Sequence, residues 1–108
     1  MTDVQIFRAG ARRLGFEING HTGFAPSGED IVCAAISAIS QTALIGLTDV
    51  LKLEPDVKID DDHALLRVML PDDAPESAQI ILLTMEEGLT SIYQQYPDFV
   101  RIMFRERR

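Results

Sequence analysis

Apolar residues near the C-terminus recur every three or four positions, and this repeat constrains the fold more than any other feature. Such spacing is typical of an amphipathic helix, which we predict to run from about Ala74 to about Gln95. Asp73 and Glu76 offer a capping box at its start, and Pro97 ends it. The repeat comprises Ala78, Ile81, Leu82, Met85, Leu89, Ile92, Tyr93 and Tyr96.

A second helical repeat follows a loop in the N-terminal half. We predict a helix from about Gly28 to about Leu47, with Ser27 and Asp30 as a near match to a capping box. Its apolar residues are Val32, Ala35, Ile36, Ile39, Ala43 and Leu47.

Five short segments have the alternation or apolar content of strands. They read DVQIF, RLGFEIN, DVKID, ALLRVML and DFVRIMF, which makes the element order ββαββαβ. This order predicts an α+β fold, with a mostly antiparallel five-stranded sheet and two helices packed on one face. We expect a single domain over residues 1–108.

Charge and composition exclude several classes of function. The net charge of −7 disfavours direct nucleic-acid binding and favours a positively charged protein partner. No run approaches the roughly 18 consecutive apolar residues of a membrane span, and no secretory signal is visible, so we predict a cytoplasmic protein with no membrane contact. The single cysteine, Cys33, cannot form an internal disulfide.

The stretch GHTGFAPSGEDIVCAAIS holds Cys33 and one of the two histidines, His21. It begins with a loop from Gly20 to Gly28 that is longer than the usual connection. A strand, a loop and a helix can bring their ends together, so His21 could accept the thiol proton of Cys33. Asp30 could orient the imidazole or simply cap the helix.

Spacing alone leaves a structural reading of Cys33 open, because a lone cysteine is more often a small buried hydrophobe than a nucleophile. Cys33 does share a polar stripe with Ser37, Ser40 and Gln41 beside the apolar helix face. The second histidine, His63, is most simply a solvated turn residue. The histidines, Cys33 and the acidic run match no known zinc spacing, so we predict no metal and no cofactor.

The same stretch resembles the ribosomal-processing cysteine protease Prp family. The shared features are Gly-His, a glycine-rich loop, Gly-x-Asp-Ile-Val-Cys-Ala-Ala and a serine four residues after the cysteine. The length, the element order and EEGL in the later helix also fit. Thr22 departs from the pattern, since alanine is more common after the histidine.

The resemblance implies a small cytoplasmic homodimer that removes an N-terminal extension from large-subunit ribosomal protein number twenty-seven, cutting after an aromatic pair. By position, His21 and Cys33 would be catalytic, with Asp30 and Ser37 in support. The implied substrate-binding loop would contain Gly20, Thr22, Gly23, Phe24 and Gly28.

Two other classes of function remain open at this point. One is a non-enzymatic ribosome-assembly or protein-binding module in which Cys33 is structural. The other is redox sensing by the single thiol, which the absence of a resolving cysteine in the sequence makes weaker.

Overall fold

The computed structural model describes residues 1–20 and 27–107, with side chains described for 1–20 and 30–107. Five strands and two long helices follow one another in the predicted order, which confirms the α+β assignment. The strands are β1 (Thr2–Ala9), β2 (Arg12–Asn19), β3 (Asp56–Asp60), β4 (Leu65–Met69) and β5 (Val100–Glu106), and the helices are α1 (Ser27–Ile45) and α2 (Glu76–Gln95).

The strands form one mixed sheet in the order β3-β4-β2-β1-β5. Three neighbouring pairs are antiparallel, whereas β1 and β5 are parallel. Alternate residues of the three inner strands and the first residue of β5 point toward the helices and form the core, because successive side chains of a strand lie on opposite faces. These buried strand residues are Val4, Ile6, Phe16, Ile18, Val68 and Val100.

The end of α1 differs from the predicted helix in geometry. The regular α-helix stops at Ile45, and the chain continues as a π-helical turn over Gly46–Val50. The Leu51 N–H donates to the Gly46 carbonyl at 2.9 Å, which is the wider hydrogen bond of a π turn. Leu47 is nevertheless fully buried, so the apolar repeat extends through the change of helix type.

The predicted capping box at the start of α2 is wrong. Pro75 is the N-cap residue, and no side chain makes a capping hydrogen bond there. The Glu76 carboxylate accepts a hydrogen bond from Arg12 Nη1 at 3.2 Å instead. Glu76 therefore links the helix to β2, and Asp73 lies before the helix as an exposed residue.

The segment Asp30–Val50 is long and apolar enough to cross a bilayer by length and composition, with a mean hydropathy of 1.8. The sequence prediction missed this property because small polar residues interrupt every apolar run. It is a weak indication, since the core helix of a globular domain passes the same test. Val32, Ile36 and Leu47 of this segment lie in the core.

Candidate active site

Cys33 lies early in α1, where its sulfur meets the first residue of β1. The Cys33 Sγ is 3.1 Å from the Thr2 Oγ1, and either atom can be the donor. The thiol is partly buried, and Thr2 is 2% exposed. Because Thr2 is paired with Val100 and its N–H donates to the Phe99 carbonyl at 2.9 Å, the sheet fixes the position of this hydroxyl.

Gly20 allows the chain to pass close to this pair. It directly follows β2, and its N–H donates to the Ala64 carbonyl at 3.1 Å. A Cβ atom at Gly20 would lie 3.2 Å from the Thr2 Oγ1, closer than most side chains tolerate. A glycine here therefore lets the β2 terminus approach the hydroxyl without displacing it.

A small cavity of about 90 Å³ opens beside the sulfur. Gly20 and Ser37 lie on its rim, and Ala64 contributes from the segment before β4. A second cavity of about 280 Å³ shares Ile18, Ser37 and Ala64 with the first, so the two adjoin. We call this combined depression the Cys33 groove.

The walls of the Cys33 groove combine apolar and polar groups. Ile59, Leu65 and Leu66 line it from β3 and β4, while Gln41 and Asp61 supply polar groups at the larger end. Ligand sites commonly have such apolar walls with a few polar groups that fix orientation. The groove therefore suits an extended chain with apolar side chains whose backbone needs hydrogen-bond partners.

The predicted polar stripe on α1 lines this groove. Ser37 is exposed and borders both cavities, and Gln41 borders the larger one. Ser40 is buried, and its hydroxyl donates to the Ile36 carbonyl at 2.8 Å. Ser40 borders the larger cavity as well, but its hydroxyl is already bonded to the helix backbone, so the polar character of the stripe at the groove comes mainly from Ser37 and Gln41.

Several predicted site residues lie outside the described part of the chain. They are His21, Thr22, Gly23 and Phe24. Gly28 lies in the first turn of α1, and Asp30 is exposed on the same helix. Asp30 makes no hydrogen bond with another described residue that would fix a supporting role, so that role stays a prediction.

His63 lies on the 3₁₀ turn Asp61–His63 between β3 and β4, as a turn residue should. Its Nδ1 is 2.7 Å from Asp60 Oδ2, and its side chain is 78% exposed. The hydrogen bond from His63 lowers the pKa of the Asp60 carboxyl below its ordinary value. Within residues 1–20 and 27–107, no group of three His, Cys, Asp or Glu side chains could hold a metal ion.

Sequence reasoning missed two contributors to this site, Thr2 and the segment around Ala64. Thr2 did leave a signal, because it shares the inward face of β1 with Val4 and Ile6. A hydroxyl at a buried strand position needs a hydrogen-bond partner. No comparable signal marks Ala64, which reaches the groove only through the pairing of β2 with β4.

Comparison with known proteins adds the chemical class to this geometry. The chain is 34% identical over 91 residues to the ribosomal processing cysteine protease Prp of Staphylococcus aureus, covering 82% of this chain and 83% of that protein. It also matches the crystal structure of Prp from S. aureus in complex with a substrate peptide, with a TM-score of 0.89 and 25% identity. That match covers 97% of this chain and 100% of the other.

A second S. aureus Prp structure, in complex with a covalently linked product peptide, matches with a TM-score of 0.85 and 26% identity. It covers 97% of this chain and 100% of that chain. Together, these similarities and a fold that places a thiol at the wall of a surface cavity define the protein as a cysteine protease. The non-enzymatic alternative is therefore not supported.

Within that class, the chain belongs to the cysteine protease Prp family, whose model matches residues 1–101. The resemblance found in the sequence is thus confirmed at the level of the family.

Proposed function

We propose that Cys33 is the nucleophile of this protease and that His21 is its general base. The observation that carries the proposal is that the chain of a cysteine protease contains one cysteine, and its sulfur lies at the wall of the Cys33 groove. His21 is bonded directly to Gly20, which borders the same cavity. His63 also precedes a cavity residue, Ala64, but its side chain is 78% exposed and its Nδ1 lies 2.7 Å from Asp60 Oδ2, which supports His21 as the partner of the thiol.

The reaction then proceeds in two stages through an acyl-enzyme. His21 accepts the thiol proton, and the thiolate sulfur bonds to the scissile carbonyl carbon. The tetrahedral intermediate collapses, the C–N bond breaks, and the imidazolium gives its proton to the departing amine. Water attacks the thioester as His21 takes its proton, and breaking the C–S bond releases the new carboxyl terminus and the thiol.

A covalent intermediate of this kind is in keeping with the covalently linked product peptide in the S. aureus relative. Asp30 and Ser37 would support the dyad, Asp30 by orienting the imidazole and Ser37 by bonding the peptide at the groove rim. Gly20, Thr22, Gly23, Phe24 and Gly28 would form the segment that contacts the substrate.

The substrate we infer is the N-terminal extension of large-subunit ribosomal protein number twenty-seven. The S. aureus relatives are named as ribosomal processing proteases, and one is in complex with a substrate peptide. The apolar walls of the Cys33 groove suit the aromatic side chains expected before the cleaved bond. The net charge of −7 would favour encounter with a basic ribosomal protein.

The decisive experiment incubates the purified protein with a peptide that spans the extension and follows cleavage by mass spectrometry. Cys33→Ala and His21→Ala should each lose cleavage, by more than about a hundredfold for loss of a nucleophile or its base. His63→Ala is the matched control, because it removes the other histidine and should cleave at the wild-type rate. Normal cleavage by Cys33→Ala or His21→Ala would contradict the assignment.

We also propose that the protein is a cytoplasmic homodimer. The segment Asp30–Val50 is apolar, yet only 28% of its 18-residue apolar window is buried within one copy. Its outer face and that of α2 border a cavity of about 650 Å³, lined mainly by small and apolar side chains such as Ala38, Val50 and Ile80. A second copy of the same face would cover this surface by an isologous interface.

A further inference from the structure

We propose that Thr2 is a positioning residue for Cys33, and that its hydroxyl donates a hydrogen bond to the thiolate that attacks the substrate. The proposal deepens the function above, because it assumes that Cys33 is the nucleophile. Its starting point is the 3.1 Å separation of Thr2 Oγ1 and Cys33 Sγ.

The surroundings of the sulfur make this contact chemically significant. A thiolate in a partly buried cavity needs hydrogen-bond donors in place of water. The other described walls of the small cavity are glycine, alanine and isoleucine, together with the rim residue Ser37. Within the described part of the chain, Thr2 is the one side chain that makes a hydrogen bond with the Cys33 sulfur.

The hydroxyl is held in place by the core rather than by the groove. Thr2 is 2% exposed and sits between β2 and β5 in the sheet. Its side chain is β-branched and therefore stiff at its first torsion angle. Gly20 closes off the space on the other side, since a Cβ there would be 3.2 Å from the hydroxyl oxygen. The oxygen is therefore preorganised toward the sulfur before any substrate binds.

The direction of the bond depends on the protonation of the sulfur. A neutral thiol can donate to the Thr2 oxygen, whereas a thiolate can only accept. The Thr2 hydroxyl can rotate to serve both states, and its bond to the charged state is the stronger one. Loss of the hydroxyl should therefore disfavour the thiolate more than the thiol.

Other charged groups around the sulfur must be distinguished from this effect. On α1, Asp30 is exposed one turn before Cys33, and Asp61 borders the larger end of the groove. On β1, Asp3 is bound by Arg101 on β5, with Arg101 Nε donating to Asp3 Oδ1 at 3.0 Å. His21 lies outside the described residues. None of these groups changes when Thr2 is replaced by an uncharged residue.

The test measures alkylation of Cys33 by iodoacetamide as a function of pH, in wild type, Thr2→Val and Thr2→Ser. Iodoacetamide is small and uncharged, so the rate reports the thiolate and not peptide binding. Thr2→Val should react about tenfold more slowly than wild type near neutral pH, the factor expected for a hydrogen bond to a charged group. The two rates should converge at a pH where every thiol is ionised.

Thr2→Ser keeps the hydroxyl and should react within about twofold of wild type, since the donor is retained. Equal rates for wild type and folded Thr2→Val near neutral pH would overturn the proposal. So would a deficit that persists unchanged at high pH, because that would indicate altered access to the sulfur. Circular dichroism checks folding, and if Thr2→Val does not fold, Thr2→Ala carries the same expectation.

The same variants separate this inference from the proposed function. Cleavage that survives in Cys33→Ala would overturn the role of the nucleophile while leaving the alkylation result valid. An unchanged alkylation profile in Thr2→Val, together with an inactive Cys33→Ala, would overturn only the role of Thr2.

Discussion

Arg13 and Glu86 form a two-point ion pair that joins β2 to α2. Arg13 Nε donates to Glu86 Oε1 at 2.6 Å and Nη2 donates to Oε2 at 3.1 Å, with the side chains 13% and 11% exposed. This hydrogen bond to Glu86 raises the pKa of Arg13 above its ordinary value. Gln79 reinforces the junction, because its side-chain amide bonds both the N–H and the carbonyl of Arg13 at 2.7 Å.

Glu86→Gln should therefore destabilise the fold by about 2 to 3 kcal/mol, somewhat below the roughly 3 to 5 kcal/mol for fully buried pairs. The reason is that the nearly buried Arg13 guanidinium would lose the carboxylate that it contacts and keep only the weaker attraction of Glu106. Urea denaturation measures the change. Glu87→Gln, at an exposed neighbouring position, is the control and should change stability by less than about 0.5 kcal/mol.

The hydrogen bond between Asp60 and His63 should make a local contribution to stability that depends on pH. The hydrogen bond lowers the pKa of Asp60 in the folded state, so its stabilising effect is present above the unfolded value of about 3.9. That stabilising effect is lost as the pH falls through the lower pKa that Asp60 has in the folded state. In His63→Ala, the Asp60 carboxyl should titrate at a higher pH than in wild type, which NMR of the carboxyl carbon can follow. An unchanged titration would mean that the pair does not form in solution.

Gly20 and Gly10 offer a matched pair of alanine substitutions. Gly20→Ala crowds the Thr2 hydroxyl, and Gly10→Ala places a side chain on a residue with φ of +60° in the β1–β2 turn. Each should cost about 1 kcal/mol of stability, one by overpacking and one by backbone strain. Only Gly20→Ala should also slow cleavage, because only Gly20 borders the Cys33 groove. Equal cleavage rates in the two variants would contradict a role for Gly20 at the Cys33 groove.

Ile80 tests the proposed dimer. This residue is 69% exposed and borders the cavity between the outer faces of α1 and α2. Ile80→Glu should shift the protein toward monomer in sedimentation-velocity experiments, because a charge would be desolvated in the interface. Ile59→Glu, at a similarly exposed isoleucine on β3, should leave the oligomeric state unchanged. A wild-type protein that sediments as a monomer would contradict the proposal directly.

The sequence by itself determined the elements of this fold and singled out one candidate nucleophile. The repeat around Leu82 and Leu89 predicts α2 correctly, and the alternation of Phe16 and Ile18 predicts the inward face of β2. Such periodicities are properties of a local chain segment, and a single buried face is enough to produce them. Cys33 could be singled out because it is the one thiol in the chain.

Only the tertiary structure decided what surrounds that thiol. The parallel pairing of β1 with β5 and the packing of α1 place Thr2 against Cys33, although 31 positions separate them. The hydrogen bond from Arg12 to Glu76, found where the sequence predicted a helix cap, is another contact between distant segments. These contacts depend on how the sheet and the helices are stacked, and no pattern within one segment records that arrangement.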